Sequence, residues 1–142
     1  IVLAAAGLKR LGLSDRVTRY FPLDEMVPAV GQGALAVEVR EGDQRVLGAL
    51  DHIHHQDTAT AICAERAFMG ALDGGCQVPI GGHAVVTGGD LHMTGFVALP
   101  DGTSRLTVTR RGAISDAEAI GRDAAQEIID RGGRDVLERA RA

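Results

Sequence analysis

The sequence predicts an α+β fold, in which a three-stranded antiparallel sheet is covered by helices on one face. Three stretches after residue 79 read as strands, and in the second and third the apolar residues recur on one face, as in half-buried strands. The sequences "TGGD" and "PDG" separate these stretches and are strong turn signals. A helical pattern precedes the strands and another follows them, so the order is α-β-β-β-α from about residue 56.

The first helix of this unit is predicted over residues 58–72, with Asp57 or Gln56 as its N-cap. Its broad apolar arc comprises Ala61, Ile62, Ala64, Phe68, Met69 and Leu72. The opposite side is small rather than polar, and it includes Ala59, Cys63, Ala67 and Gly70. Such a helix is expected to pack on both sides, which predicts a core position for Cys63. Gly74 and Gly75 are expected to end the helix.

The strands are predicted at residues 80–86, 91–99 and 104–110. Leu91, Met93, Val97 and Leu99 share one face of the second strand, and Leu106 and Val108 point inward from the third. Ser115 and Glu118 have the spacing of a capping box, and apolar residues at helical spacing follow them. Gly132 and Gly133 are expected to end this helix, and a short last helix closes the chain.

Residues 1–55 show no closed pattern and are expected to be remnants of other domains. A short helix is predicted at 3–11, an irregular segment around Gly31-Gln32-Gly33, and a strand in "ALAVEVR" with Leu35, Val37 and Val39 on one face. A second short helix at 43–50 and a polar linker, "DHIHHQD", follow. Because the chain starts at Ile1 inside such a pattern, we expect it to be a piece of a longer one.

Composition limits the functional classes. The net charge of -4 argues against a general nucleic-acid binder, although 14 of the 15 basic residues are arginines, which suit carboxylates and phosphates. No apolar run reaches the roughly 18 residues of a membrane span. Two cysteines cannot form a disulfide framework, and the composition predicts an intracellular protein.

Cys76 lies in "DGGCQVPIGG", where glycines on both sides predict an exposed connection. One interpretation is a surface thiol without a role. A catalytic thiolate, with His83 as its partner, is disfavoured because Cys76 follows the negative end of a helix dipole. A thiol that reacts once, to anchor a group permanently, needs only exposure and room.

Other candidate residues are less specific. The spacing of His52, His54 and His55 matches no standard zinc pattern, so no metal is predicted. Lys9 and Arg10 are favourable charges at a helix C-terminus. The Gly31-Gln32-Gly33 triplet predicts either a tight crossing between domains or a place where backbone meets a ligand.

Together these stretches resemble the hydroxymethylbilane synthase, or porphobilinogen deaminase, family. The resemblance rests on "LAAAGLKRLGL" (3–13), "PAVGQGALAVE" (28–38), "AERAFMGALDGGCQVPIGGHA" (64–84) and the "DAE…IG…A" helix from residue 116, in the order and at the spacings of that family. It covers essentially the whole chain, and the Gly-Gly-Cys-Gln-Val-Pro-Ile-Gly block is its most specific part.

The resemblance implies a chemistry for Cys76: a thioether to a dipyrromethane cofactor made from the enzyme's own substrate. Four porphobilinogen units are then added with loss of ammonia, and water releases linear hydroxymethylbilane. Arg10 matches an arginine that binds cofactor or substrate carboxylates, and Gln32 and Gly33 match a crossing segment beside the active site.

The resemblance also implies a domain organisation. Residues 1–33 would end the second domain and cross between domains, and residues 34–55 would return a strand and helix to the first. Residues 56–142 would form the C-terminal, cofactor-carrying domain. The remnants would belong to α/β domains of the periplasmic-binding-protein type.

The family's catalytic aspartate and most of its substrate-binding arginines have no counterpart here. We therefore assign no catalytic residue to this chain and expect it to be inactive without the missing N-terminal domains. A cytoplasmic monomer that binds porphobilinogen, but neither nucleic acid nor membrane, is expected. The alternative is a non-catalytic α+β binding module that retains the cysteine loop.

Overall fold

The computed structural model describes residues 1–73 and 78–141. Within them the helices are α1 (Ala5–Arg10), α2 (Gln44–Leu50), α3 (Gln56–Ala71), α4 (Ala117–Asp130) and α5 (Gly133–Arg141). The strands are β1 (Ile80–Thr87), β2 (Asp90–Ala98) and β3 (Arg105–Ala113). They form one antiparallel sheet in the order β1-β2-β3, which confirms the predicted α+β unit.

The core lies between one face of the sheet and helices α3 and α4. The central strand β2 contributes Leu91, Met93 and Val97, each at most 1% exposed. Helix α3 contributes Phe68, which is fully buried against the cross-strand pair Gly82 and Gly95. A Cβ at Gly95 would lie 2.5 Å from the Phe68 ring, so the glycines provide the room that this ring occupies.

The turns between strands follow the predicted signals. Gly88 and Gly89 have φ of +64° and +87°, in the left-handed region that favours glycine. At the second turn the Gly102 N–H donates to the Leu99 carbonyl at 2.9 Å. Both connections therefore close hairpins, as predicted.

Two predicted helix caps are wrong. Helix α3 begins earlier than expected, and the His55 ring nitrogen Nδ1 accepts from the Thr58 N–H at 3.2 Å. There is no capping box before α4, because the Ser115 hydroxyl donates to Asp116 at 2.9 Å instead and Glu118 pairs with Arg122. At α3, His55 takes the role assigned to Asp57 or Gln56, whereas at α4 the N-cap position falls on Asp116, which makes no side-chain cap hydrogen bond.

The predicted strand at residues 34–40 is absent. This stretch has no regular secondary structure, and Leu35 is 93% exposed and Val37 59% exposed. A strand forms by pairing with a neighbouring strand, and no strand of the described residues lies beside this segment. The apolar alternation is present in the sequence, but within residues 1–73 and 78–141 it has no strand to pair with.

Candidate functional site

Helix α3 and strand β1 flank the connection that contains Cys76. Cys76 itself, with residues 74, 75 and 77, lies outside the described residues. On either side of it, Leu72 and Val78 are 3% and 9% exposed. Asp73 has a left-handed φ of +52°, and its carbonyl accepts from Arg141 Nη2 at 2.6 Å. The two flanks of the connection are therefore fixed to the core and to α5.

The Gly31-Gln32-Gly33 triplet forms a tight turn. The Gln32 N–H donates to the Ala29 carbonyl at 3.1 Å, and the Ala34 N–H donates to Gly31 at 3.2 Å. Gly31 and Gly33 have φ of +76° and +87°, which L side chains rarely adopt. Any other residue at either position would strain this turn.

A buried carboxylate joins this turn to the C-terminal unit. Glu65 on α3 is 4% exposed. Its Oε2 accepts from the Gly31 N–H at 2.7 Å, and its Oε1 accepts from the Ala84 N–H at 2.8 Å. His83 Nδ1 lies 3.7 Å from Oε1. Burial of a carboxylate is costly unless hydrogen bonds compensate, and here each oxygen has its own backbone donor.

Glu65 is not among the residues predicted for the site, although the sequence carries a signal for it. A glutamate between Ala64 and Phe68 interrupts the buried side of an otherwise apolar helix. Acidic residues are rarely buried without a specific partner. Such an interruption therefore indicates a hydrogen-bonded role inside the protein.

The segment before the turn covers the free edge of β1. The Gly82 N–H donates to the Pro28 carbonyl at 3.0 Å, and Val27 is 8% exposed. Together with the bond from Ala84 to Glu65, this satisfies two N–H groups that an edge strand would otherwise present to solvent. Residues 27–31, which we call the edge segment, thus tie residues 1–33 to the C-terminal unit.

Arg10 is separate from this arrangement. It lies in the last turn of α1 and is exposed, and its side chain makes no hydrogen bond or ion pair within the described part of the chain. Its guanidinium is therefore available to an anion from outside these residues. A guanidinium so placed is a suitable bidentate partner for a carboxylate.

Cys63, predicted to be buried, is exposed. It lines an open groove of about 1110 Å³ between α3 and the extended residues that follow the glycine turn. Apolar side chains form much of this groove, among them Leu35, Leu50 and Ile62. Helix α3 packs against both the sheet and α4. The part of its small-residue side that carries Cys63 and Gly70 is exposed, so the predicted core position of Cys63 is wrong.

The histidines have local roles. His55 caps α3, and His54 Nε2 lies 3.3 Å from Gln56 Oε1. Over residues 1–73 and 78–141, no group of three or more His, Cys, Asp or Glu side chains is placed to hold a metal ion. In the same residues no helix is both long and apolar enough to cross a membrane.

Two family models match consecutive parts of this chain. The model described as "Porphobilinogen deaminase, dipyromethane cofactor binding domain" matches residues 1–48. The model described as "Porphobilinogen deaminase, C-terminal domain" matches residues 59–130, which include most of the α+β unit and Cys76. The two matches leave only a short interval between them.

Curated relatives give the same result. The chain is 49% identical over 132 residues to a porphobilinogen deaminase of Nitrobacter hamburgensis, a match that covers 93% of this chain and 42% of that relative. It is 47% identical over 137 residues to that of Geobacter sulfurreducens, covering 96% and 43%. A relative from Syntrophotalea carbinolica is 48% identical over 137 residues, covering 96% and 44%. The chain thus spans less than half the length of these relatives.

The fold and the two matches define the class: a protein that joins residues of a dipyrromethane cofactor binding domain to an α+β C-terminal domain. The chain belongs to the porphobilinogen deaminase family.

Proposed function

We propose that this chain supplies the C-terminal portion of a hydroxymethylbilane synthase. That enzyme joins four porphobilinogen units, with release of ammonia, into linear hydroxymethylbilane for tetrapyrrole biosynthesis. The observation that carries the proposal is the match of both domain models, in order, across residues 1–48 and 59–130. The tightly fixed flanks of the Cys76 connection support it further.

In this proposal Cys76 holds the dipyrromethane through a thioether. The bound group supplies the free pyrrole end to which new units are joined. Arg10 binds a carboxylate of the cofactor or of the growing chain, because its exposed guanidinium has no acidic partner among the described residues. Gln32 and Gly33 present side chain and backbone to the substrate from a turn that Glu65 holds.

The domain boundaries follow from the same proposal. Residues 1–33 end the second domain and cross to the first, residues 34–55 return to the first domain, where a neighbouring sheet would pair with residues 34–40, and residues 56–142 form the cofactor-carrying domain. The exposed Leu35 and Val37 support this, because the sheet of an N-terminal portion would cover them. We further propose that the complete protein is a cytoplasmic monomer.

A chimera tests this function. The N-terminal portion of the Geobacter sulfurreducens relative would be joined to residues 1–142, and hydroxymethylbilane would be trapped as uroporphyrin. We expect turnover of porphobilinogen by the chimera and none above an enzyme-free control by residues 1–142 alone. A folded but inactive chimera would favour a non-catalytic binding module, and turnover by residues 1–142 alone would contradict the proposed division of the site.

A further inference from the structure

We propose that Glu65 is a positioning residue that holds the turn Gly31–Gly33 against α3 and β1, the helix and strand that precede and follow Cys76 in the chain. The inference rests on the proposed function for its consequence in turnover. Its structural part depends only on the contacts of Glu65.

Each oxygen of the Glu65 carboxylate has its own backbone donor. Oε2 accepts from Gly31 at 2.7 Å, and Oε1 accepts from Ala84 at 2.8 Å. A carboxylate has no hydrogen to donate, so both oxygens can face N–H donors without conflict. An amide at this position would turn its own N–H₂ group toward one of the two donors.

Glu65 and Ala84 lie on opposite sides of residues 74–77 in the chain. Glu65 belongs to the helix that precedes residues 74–77, and Ala84 belongs to the strand that follows them. The Glu65 carboxylate therefore joins the helix before the connection to the strand after it. It also binds the turn, through Gly31. The Gly82 to Pro28 bond, at 3.0 Å, fixes the edge segment beside it.

The burial and the partners of Glu65 favour a positioning role over a catalytic one. The Glu65 side chain is 5% exposed, and both of its oxygens are engaged by backbone donors. The imidazole of His83, 29% exposed, lies beside it, with Nδ1 3.7 Å from Oε1. A carboxylate with so little exposure, each of whose oxygens already accepts from a backbone N–H, acts on substrate only through the turn that it holds.

Amide hydrogen exchange, measured residue by residue by NMR on residues 1–142, tests directly whether Glu65 holds the turn. In Glu65→Gln the amide oxygen is expected to keep the buried Ala84 donor and to release Gly31, which is only partly buried. We expect exchange at Gly31 to accelerate about tenfold or more, with exchange at Met93 in the central strand unchanged. Unchanged exchange at Gly31 would overturn the proposal.

The matched control is Glu118→Gln, which removes an exposed carboxylate paired with Arg122 on α4. It should leave exchange at Gly31 unaltered. If Glu65→Gln does not fold, the comparison passes to Glu65→Asp, whose shorter side chain keeps the charge but cannot reach both donors. Failure of both variants to fold would show a purely structural role and reject positioning.

Turnover in the chimera gives the functional readout. Glu65→Gln should raise KM for porphobilinogen about tenfold while the folded fraction, measured by circular dichroism, stays that of the parent chimera. A fall in kcat alone, in proportion to lost folded protein, would contradict positioning. If the parent chimera is inactive, the proposed function fails. The exchange experiment still decides whether Glu65 holds the turn.

Discussion

The packing of α3 against α4 leaves no room for a methyl group at Gly121. A Cβ there would lie 2.2 Å from the Ala64 carbonyl oxygen and 2.9 Å from the Ala67 Cβ. Ordinary contacts of these atoms are more than 3 Å long, and the oxygen belongs to the backbone of α3, so it cannot rotate away. Gly121→Ala must therefore push the two helices apart.

The magnitude follows from two opposing effects. Overpacking in a core costs about 1–3 kcal/mol, and the backbone clash places Gly121→Ala at the upper end. Alanine in place of glycine inside a helix returns roughly 1 kcal/mol. The expected net loss is about 2 kcal/mol, which corresponds to a fall in Tm of roughly 8–16 °C for a unit of this size.

Gly70→Ala is the matched control. Gly70 lies in α3, is exposed, and has nothing within 4 Å of an added Cβ. Only the gain in helix propensity applies, so Tm should rise by a few degrees, from about 0.5–1 kcal/mol. Thermal unfolding followed by circular dichroism compares the two variants. A Gly121→Ala variant as stable as the parent would refute the close helix contact.

Two further predictions concern single side chains. The pKa of Asp101 is lowered by the Thr103 N–H and, to a smaller extent, by the Thr103 hydroxyl. The stability that this carboxylate contributes is therefore present above its unfolded pKa and is lost as the pH falls through its folded pKa. Thr103→Val should raise the pKa of Asp101 partway, because the N–H remains; an NMR titration identical to the parent's would contradict this. In the chimera, Arg10→Leu should slow elongation by roughly tenfold to a hundredfold, since a hydrogen bond to a charged group is worth about 1.5–3 kcal/mol; normal elongation would make Arg10 a helix-end charge only.

The α+β unit could be predicted because its signals are local and its partners lie in the chain. Strand β2 alternates in sequence, and the same alternation separates its buried residues from its partly buried ones, while Val108 is the buried residue of β3. The hairpin turns carry glycine where φ is positive. Residues 34–40 show the same kind of pattern, but the described residues provide no neighbouring strand, so the prediction was wrong.

The candidate site was only partly predictable. The glycine turn was visible as a triplet, whereas its attachment to Glu65 depends on contacts between residues 34 positions apart. The burial of Cys63 was inferred from small neighbours on α3, but burial also needs a surface to cover them. The assignment of Cys76 remains a prediction, because it lies outside the described residues.

The most direct test of the proposed function is the mass of the peptide that contains Cys76, taken from the purified, active chimera. We predict a two-pyrrole adduct on this peptide. Cys76→Ala should lack both the adduct and the colour that an aldehyde reagent gives with pyrroles. Cys63→Ala should keep both the adduct and the colour. An adduct on Cys63, or full activity in Cys76→Ala, would contradict the account.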